Sequence, residues 1–249
     1  MPQEHVTLRT RDGECPTVVV TPEGPGPWPA VIFYMDGFGI RPGMLEMAGT
    51  VANGGYLVLV PDLFYRMGRY QPLVPKDVFA GGDVRGVIGP LMASTDNRKA
   101  GEDDTRAFLD YLDTRQDVAG PHVGTVGFCM GGGMAITAAG SHPDRVTAAV
   151  SFHGGNLATD DPKSPHLLAP RIRGELYVAG ADQDQSYPLE MAARLEKALS
   201  DAGVRHRAEI YAGAKHGWMK PDFPIHDAEA AARGWREMFA LFDRTLKAA

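Results

Sequence analysis

The chain has 249 residues, 44% of them hydrophobic and 22% charged, with a formal net charge of −6. That balance fits a globular chain long enough to bury a proper core and offers no basic stripe for nucleic acid. No run approaches the ~18 consecutive apolar residues of a membrane span, and the polar start MPQEHVTLRTRDGE is not a signal peptide.

In chain order, short apolar runs bounded by turn signals occupy residues 17–20, 30–35, 56–60, 123–128, 146–152, 175–179 and 207–211. Runs that are apolar throughout suit strands covered on both faces, as in a parallel sheet. Helical patterns alternate with them. Residues 105–112 place Phe108, Leu109 and Leu112 on one side, behind an acidic lead of Glu102, Asp103 and Asp104. Residues 188–199 repeat the pattern with Leu189, Ala192, Leu195 and Leu199, and residues 228–246 carry a core-facing stripe that includes Trp235, Phe239 and Phe242. The alternation predicts one α/β domain spanning 1–249, a doubly wound, mostly parallel sheet with helices on both faces.

Two stretches break the rhythm. Residues 22–29, PEGPGPWP, read as a loop between early strands. Residues 61–100 are rich in proline and glycine without strong periodicity. A connection that long is either a lid or pocket wall, or an irregular excursion of short helices.

The two cysteines, Cys15 and Cys129, form neither a CxxC pair nor a zinc-spaced cluster. Free thiols, no metal and no cofactor are expected, in a cytoplasmic protein. Cys129 lies in VGFCMGGG, where a strand meets a helix that starts at once. So sharp a turn forces the middle residue to positive φ and crowds the positions two residues away on either side. Gly127 and Gly131 occupy those positions, giving the G-x-S-x-G elbow with cysteine in place of serine. Taken alone, the cysteine is as readily a small core residue. The chain that follows shifts the balance. Asp182 and Asp184 follow the run at 175–179, and His216 follows the run at 207–211. That is the order nucleophile, acid, histidine, and each lies at the carboxyl edge of a strand, where sites in this class of fold collect. His153, in SFHGG, closes another strand on that edge and either lines the pocket or simply ends the strand.

With the elbow GFCMGG, the acid loop AGADQDQSYP, the histidine loop GAKHGW and the aromatic closing helix in place, the sequence resembles the dienelactone hydrolase family of α/β hydrolases along nearly its whole length. The resemblance implies a Cys129–Asp184–His216 triad, with Asp184 preferred to Asp182 because it stands four residues before Pro188. It implies an oxyanion hole from the backbone N–H groups of Gly37 and Met130. It also implies that Asp36, glutamate in close relatives, accepts a hydrogen bond from the resting thiol. Those relatives bind a substrate carboxylate with arginines; one is replaced here by Lys220, which keeps the charge and loses bidentate geometry. The second has no firm counterpart, although Arg85 and Arg98 lie in the irregular stretch.

The leading expectation is therefore a cysteine hydrolase of a lactone or small ester, acting as a monomer or homodimer on a small-molecule substrate. Two alternatives belong to other classes: a non-catalytic scaffold that keeps the elbow for folding and binds a ligand or a protein, and a redox-active thiol protein. The first would lose a triad member and none is evidently missing. The second lacks a resolving cysteine near Cys129 in the sequence.

Overall fold

The structure, a computed structural model, describes residues 1–247. It begins with a hairpin, β1 (Gln3–Thr10) and β2 (Gly13–Val20), followed by β3 (Trp28–Tyr34), α1 (Pro42–Asn53) and β4 (Leu57–Pro61). A 3₁₀ turn and two short helices, α2 (Pro75–Gly81) and α3 (Val84–Met92), lead into α4 (Thr105–Asp113) and β5 (Val118–Phe128). Then come α5 (Met130–Ser141), β6 (Val146–Phe152), β7 (Glu175–Gln183), α6 (Leu189–Asp201), β8 (His206–Lys215) and α7 (Ala228–Phe242). None of these helices is long and apolar enough to cross a membrane.

The eight strands form one sheet in the order β1-β2-β4-β3-β5-β6-β7-β8. The pairings β1–β2 and β2–β4 are antiparallel, and every pairing from β4 to β8 is parallel. Each uniformly apolar run found in the sequence is a strand. Burial explains why: β4 is buried along its whole length, as is β3 from Ala30 onward. Helices α1 and α7 pack on one face, where Gly54 lies under the Phe239 ring, while α4, α5 and α6 cover the other. Strand β1 escaped the apolar pattern because it is an edge strand with mostly exposed side chains.

The connection over 61–100 consists of short helices and also walls the main cavity through Arg85, Ile88, Gly89, Met92, Thr95, Asp96 and Asn97. Pro75 opens α2, and Asp83 caps α3 by accepting the Gly86 N–H at 2.9 Å.

Candidate active site

The parallel strands β3, β5, β6, β7 and β8 all end on one edge of the sheet, and each delivers a residue of interest to it. Register sets the spacing. Tyr34 pairs with Gly127 and Phe128 with Phe152, so Asp36, Cys129 and His153 emerge side by side.

Cys129 stands between β5 and α5 with φ 57° and ψ −118°, the strained backbone that the glycine spacing predicts. A Cβ at Gly127 would collide with the Gly131 carbonyl, and one at Gly131 with the Tyr34 carbonyl. His216 follows β8, and its Nδ1 lies 2.6 Å from Asp184 Oδ2. That contact fixes the tautomer and leaves Nε2 for the thiol. Burial opposes ionisation of the Cys129 thiol, but the charge and hydrogen bond of His216, helped by Lys220, outweigh it and bring the thiol down to about 7. For His216, burial disfavours the charge, whereas the thiolate and Asp184 favour it and raise the imidazole to about 10. Between those two values the electrostatics favour thiolate and imidazolium. Burial would raise Asp184 as well, yet its bonds with His216 and Ser186 hold it below the usual carboxylate range.

The two candidate aspartates have separate tasks. Asp182 accepts the Gly213 N–H at 2.8 Å and ties β7 to β8, away from the imidazole. Asp184 is held by Ser186, whose backbone N–H and hydroxyl both donate to Oδ1, at 2.8 and 2.6 Å. Sequence reasoning passed over Ser186; its only signal is the D-x-S spacing of an Asx turn in the acid loop. The N–H groups of Met130 and Gly37 donate to no protein acceptor among the described residues. Met130 lines the cavity, and Gly37 sits against Ile88 and Met92 of its wall.

Three expectations need correction. His153 does not line the cavity. It is fully buried beneath the elbow, with φ 40°, and its Nδ1 accepts the Cys129 N–H at 3.2 Å. Burial, together with the nearby Lys220 and His216 charges, drives its pKa well below the ordinary value, so the ring is neutral. Lys220, which the resemblance set against a substrate carboxylate, does not line the cavity either. It is 1% exposed, its Nζ is 2.9 Å from Asp36 Oδ2, and it lies 3.8 Å from the centre of the Phe223 ring. A buried carboxylate needs a partner, and Asp36 draws the ammonium inward. Nor does Asp36 hold the thiol. Oδ1 accepts the Phe38 N–H at 2.8 Å and Arg41 Nη1 at 2.8 Å, while Oδ2 accepts Arg41 Nη2 at 2.9 Å and Lys220. Burial alone would raise this carboxyl, but Lys220 and Arg41 outweigh it and keep it ionised. Of the two tentative arginines, Arg85 lines the cavity, and Arg98 pairs with Glu102 at 2.6 Å.

The cavity has a volume of about 880 Å³, with Cys129, His216 and Asp184 on one wall. Ile88, Met92, Met130 and Met134 supply apolar surface, Thr95, Asn97, Asn156 and Gln185 uncharged polar groups, and Arg85 and Asp96 charges. Its volume falls in the range of small-molecule pockets, and the elbow opens into it.

A family model described as the dienelactone hydrolase family matches residues 15–246. A protein of Synechocystis sp., provisionally named a carboxymethylenebutenolidase, is 28% identical over 97% of this chain and 96% of its own. A carboxymethylenebutenolidase of Rhodococcus opacus is 27% identical over 87% of this chain and 81% of its own. Among solved structures, one from Klebsiella pneumoniae, provisionally described as a dienelactone hydrolase, superposes with a TM-score of 0.83 at 20% identity, covering 98% of both chains. That likeness concerns the fold.

Proposed function

The chain belongs to the dienelactone hydrolase family, and from that premise we propose that it is a cysteine-dependent hydrolase of a lactone or small carboxylic ester. One observation carries the reading: Cys129, His216 and Asp184 line one cavity, with His216 held on Asp184 at 2.6 Å. In the proposed cycle the Cys129 thiolate adds to the ester carbonyl carbon, and the carbonyl electron pair moves onto oxygen. The N–H groups of Gly37 and Met130 receive that oxyanion, each lowering the barrier by on the order of 3 kcal/mol. Collapse breaks the carbon–oxygen bond of the alcohol, which takes a proton from His216 and leaves a thioester on Cys129. His216, now neutral, removes a proton from water as it attacks the thioester. Collapse then releases the acid and restores the thiolate–imidazolium pair. Asp184 keeps the imidazole oriented and stabilises its charged form throughout.

Turnover of a panel of p-nitrophenyl esters and unsaturated lactones, with and without iodoacetamide, tests the proposal. Alkylation at Cys129 is expected to abolish turnover, and Cys129→Ala to do the same. Wild-type rates in Cys129→Ala would sink it.

A further inference from the structure

The oxyanion donor and the base come from strands that do not touch. Gly37 follows β3 and His216 follows β8, with β5, β6 and β7 between them in the sheet. Register fixes neighbouring strand ends, but it does not fix one loop against another across three strands. A buried charge cluster makes that connection.

Arg41 stands at its centre. It is 3% exposed and donates all five of its guanidinium N–H groups. On one side it forks onto both oxygens of Asp36 and reaches the Gly39 carbonyl at 3.1 Å. Asp36 in turn accepts the Phe38 N–H, so the turn that presents the Gly37 N–H is held at each end. On the other side Nε and Nη2 bond Asp222, at 2.6 and 3.2 Å, in the loop that runs on from His216. Lys220, from the same loop, closes the cluster on Asp36. The rings of Phe38 and Phe223, one from each loop, flank the guanidinium at 5.5 and 5.3 Å. The two cations and two carboxylates balance. The planar fork is what allows one side chain to grip two carboxylates from different loops.

We propose that Arg41 is a positioning residue of the reaction: its guanidinium bolts the turn carrying the Gly37 N–H to the loop carrying His216, and so sets the spacing of oxyanion donor and base. The inference rests on the hydrolase reading above. A staple that served stability alone would occupy the same place, and the two differ in what they do to the thiol.

The test compares wild type with Arg41→Lys, Arg41→Met and Asp222→Asn. The first readout needs no substrate: the pH dependence of Cys129 alkylation by iodoacetamide. The thiol faces the charges of His216 and Lys220, which favour its ionisation, and of Asp36, which opposes it. Loss of Arg41 loosens His216 and leaves Asp36 less compensated, and both effects move the alkylation midpoint upward, by roughly one pH unit in Arg41→Met. The second readout is kcat and KM for p-nitrophenyl acetate. Arg41→Met is expected to lose on the order of 100-fold in kcat, and Arg41→Lys and Asp222→Asn on the order of 10-fold, with KM within about twofold of wild type. If Arg41→Met does not fold, the other two variants decide, because Asp222→Asn leaves the buried Asp36–Arg41 pair intact. Lower melting temperatures with wild-type kcat and an unmoved midpoint overturn the proposal and leave a staple. Absence of ester turnover in the wild type sinks the hydrolase reading instead, and is told apart by the midpoint, which does not depend on turnover.

Discussion

At Cys129 backbone strain and electrostatics act on the same residue. The positive φ lifts the side chain off the sheet edge into the cavity, and His216 supplies the charge that ionises it. A thiol lowered to about 7 is thiolate above that pH, and an imidazole raised to about 10 stays protonated below it. The productive ion pair therefore fills the window between the two values, titrating as a unit. The pH profile of ester acylation is expected to be a bell with limbs near those values; a single rise near 9, the ordinary thiol value, would mean that the pair does not form. Of the two candidate acids, Asp184 is the one in contact with the imidazole. Asp184→Asn should lower kcat by up to roughly 10⁴, since the imidazole loses the partner that fixes its tautomer. Asp182→Asn, which weakens only a bond to the Gly213 N–H, should leave kcat within about twofold. Steady-state kinetics of the two variants separates the roles. These residues were legible in the sequence because each follows an apolar run at a strand end. Ser186 and Arg41 were not. Ser186 looks like any turn serine, and Arg41 gives itself away only as the sole charge between Asp36 and Glu46.

Helix α5 shows how one element carries two kinds of constraint. Its glycines at 131 and 133 look alike in the sequence, and the space around them differs. A Cβ at Gly131 would strike the Tyr34 and Met35 carbonyls, which are backbone and fixed by the sheet. At Gly133 it would meet the Asn97 amide, 2.7 Å away, the far end of a side chain that can turn. Gly131→Ala is therefore expected to cost about 3 kcal/mol or more, seen as a lowered midpoint in urea unfolding. Gly133→Ala should stay within about 1 kcal/mol of wild type and instead change KM, because Asn97 lines the cavity. The reverse ranking would mean that the elbow yields more readily than its wall. Elements with a strong apolar period, such as α4, α6 and α7, were visible beforehand. The helices α2 and α3 were not, because each is short, α2 running only from Pro75 to Gly81 and α3 being interrupted by Gly86, Gly89 and Pro90.

Across the whole molecule the sheet order could not be read from the chain. Order decides that Asp36 lies within reach of a loop four strands along, and the charge cluster that follows from it overrode two expectations. Resemblance placed Asp36 against the thiol and Lys220 against substrate, whereas long-range folding pairs them with each other. Asp36→Asn distinguishes these pictures. The substitution leaves Lys220 buried without its carboxylate partner and Arg41 with Asp222 alone. Breaking a buried pair in this way costs about 3–5 kcal/mol. For a chain of this size that is a fall in Tm of about 10 °C at neutral pH. The sign with pH follows from the direction of the shift. Asp36 is held below its usual value of 3.8, so its contribution is complete above that pH and is lost as pH falls through the lower, folded value. The gap in Tm between wild type and Asp36→Asn should be constant at pH 5 to 7 and close progressively below about 3.8. Removing the negative charge should also ease ionisation of Cys129, which Asp36 opposes, so the alkylation midpoint of this variant should move down. A carboxylate that merely guarded the thiol would shift that midpoint and leave Tm alone. Thermal unfolding of both proteins between pH 3 and 7 decides the matter, and a Tm at pH 7 within about 1 °C of wild type would return Asp36 to the thiol.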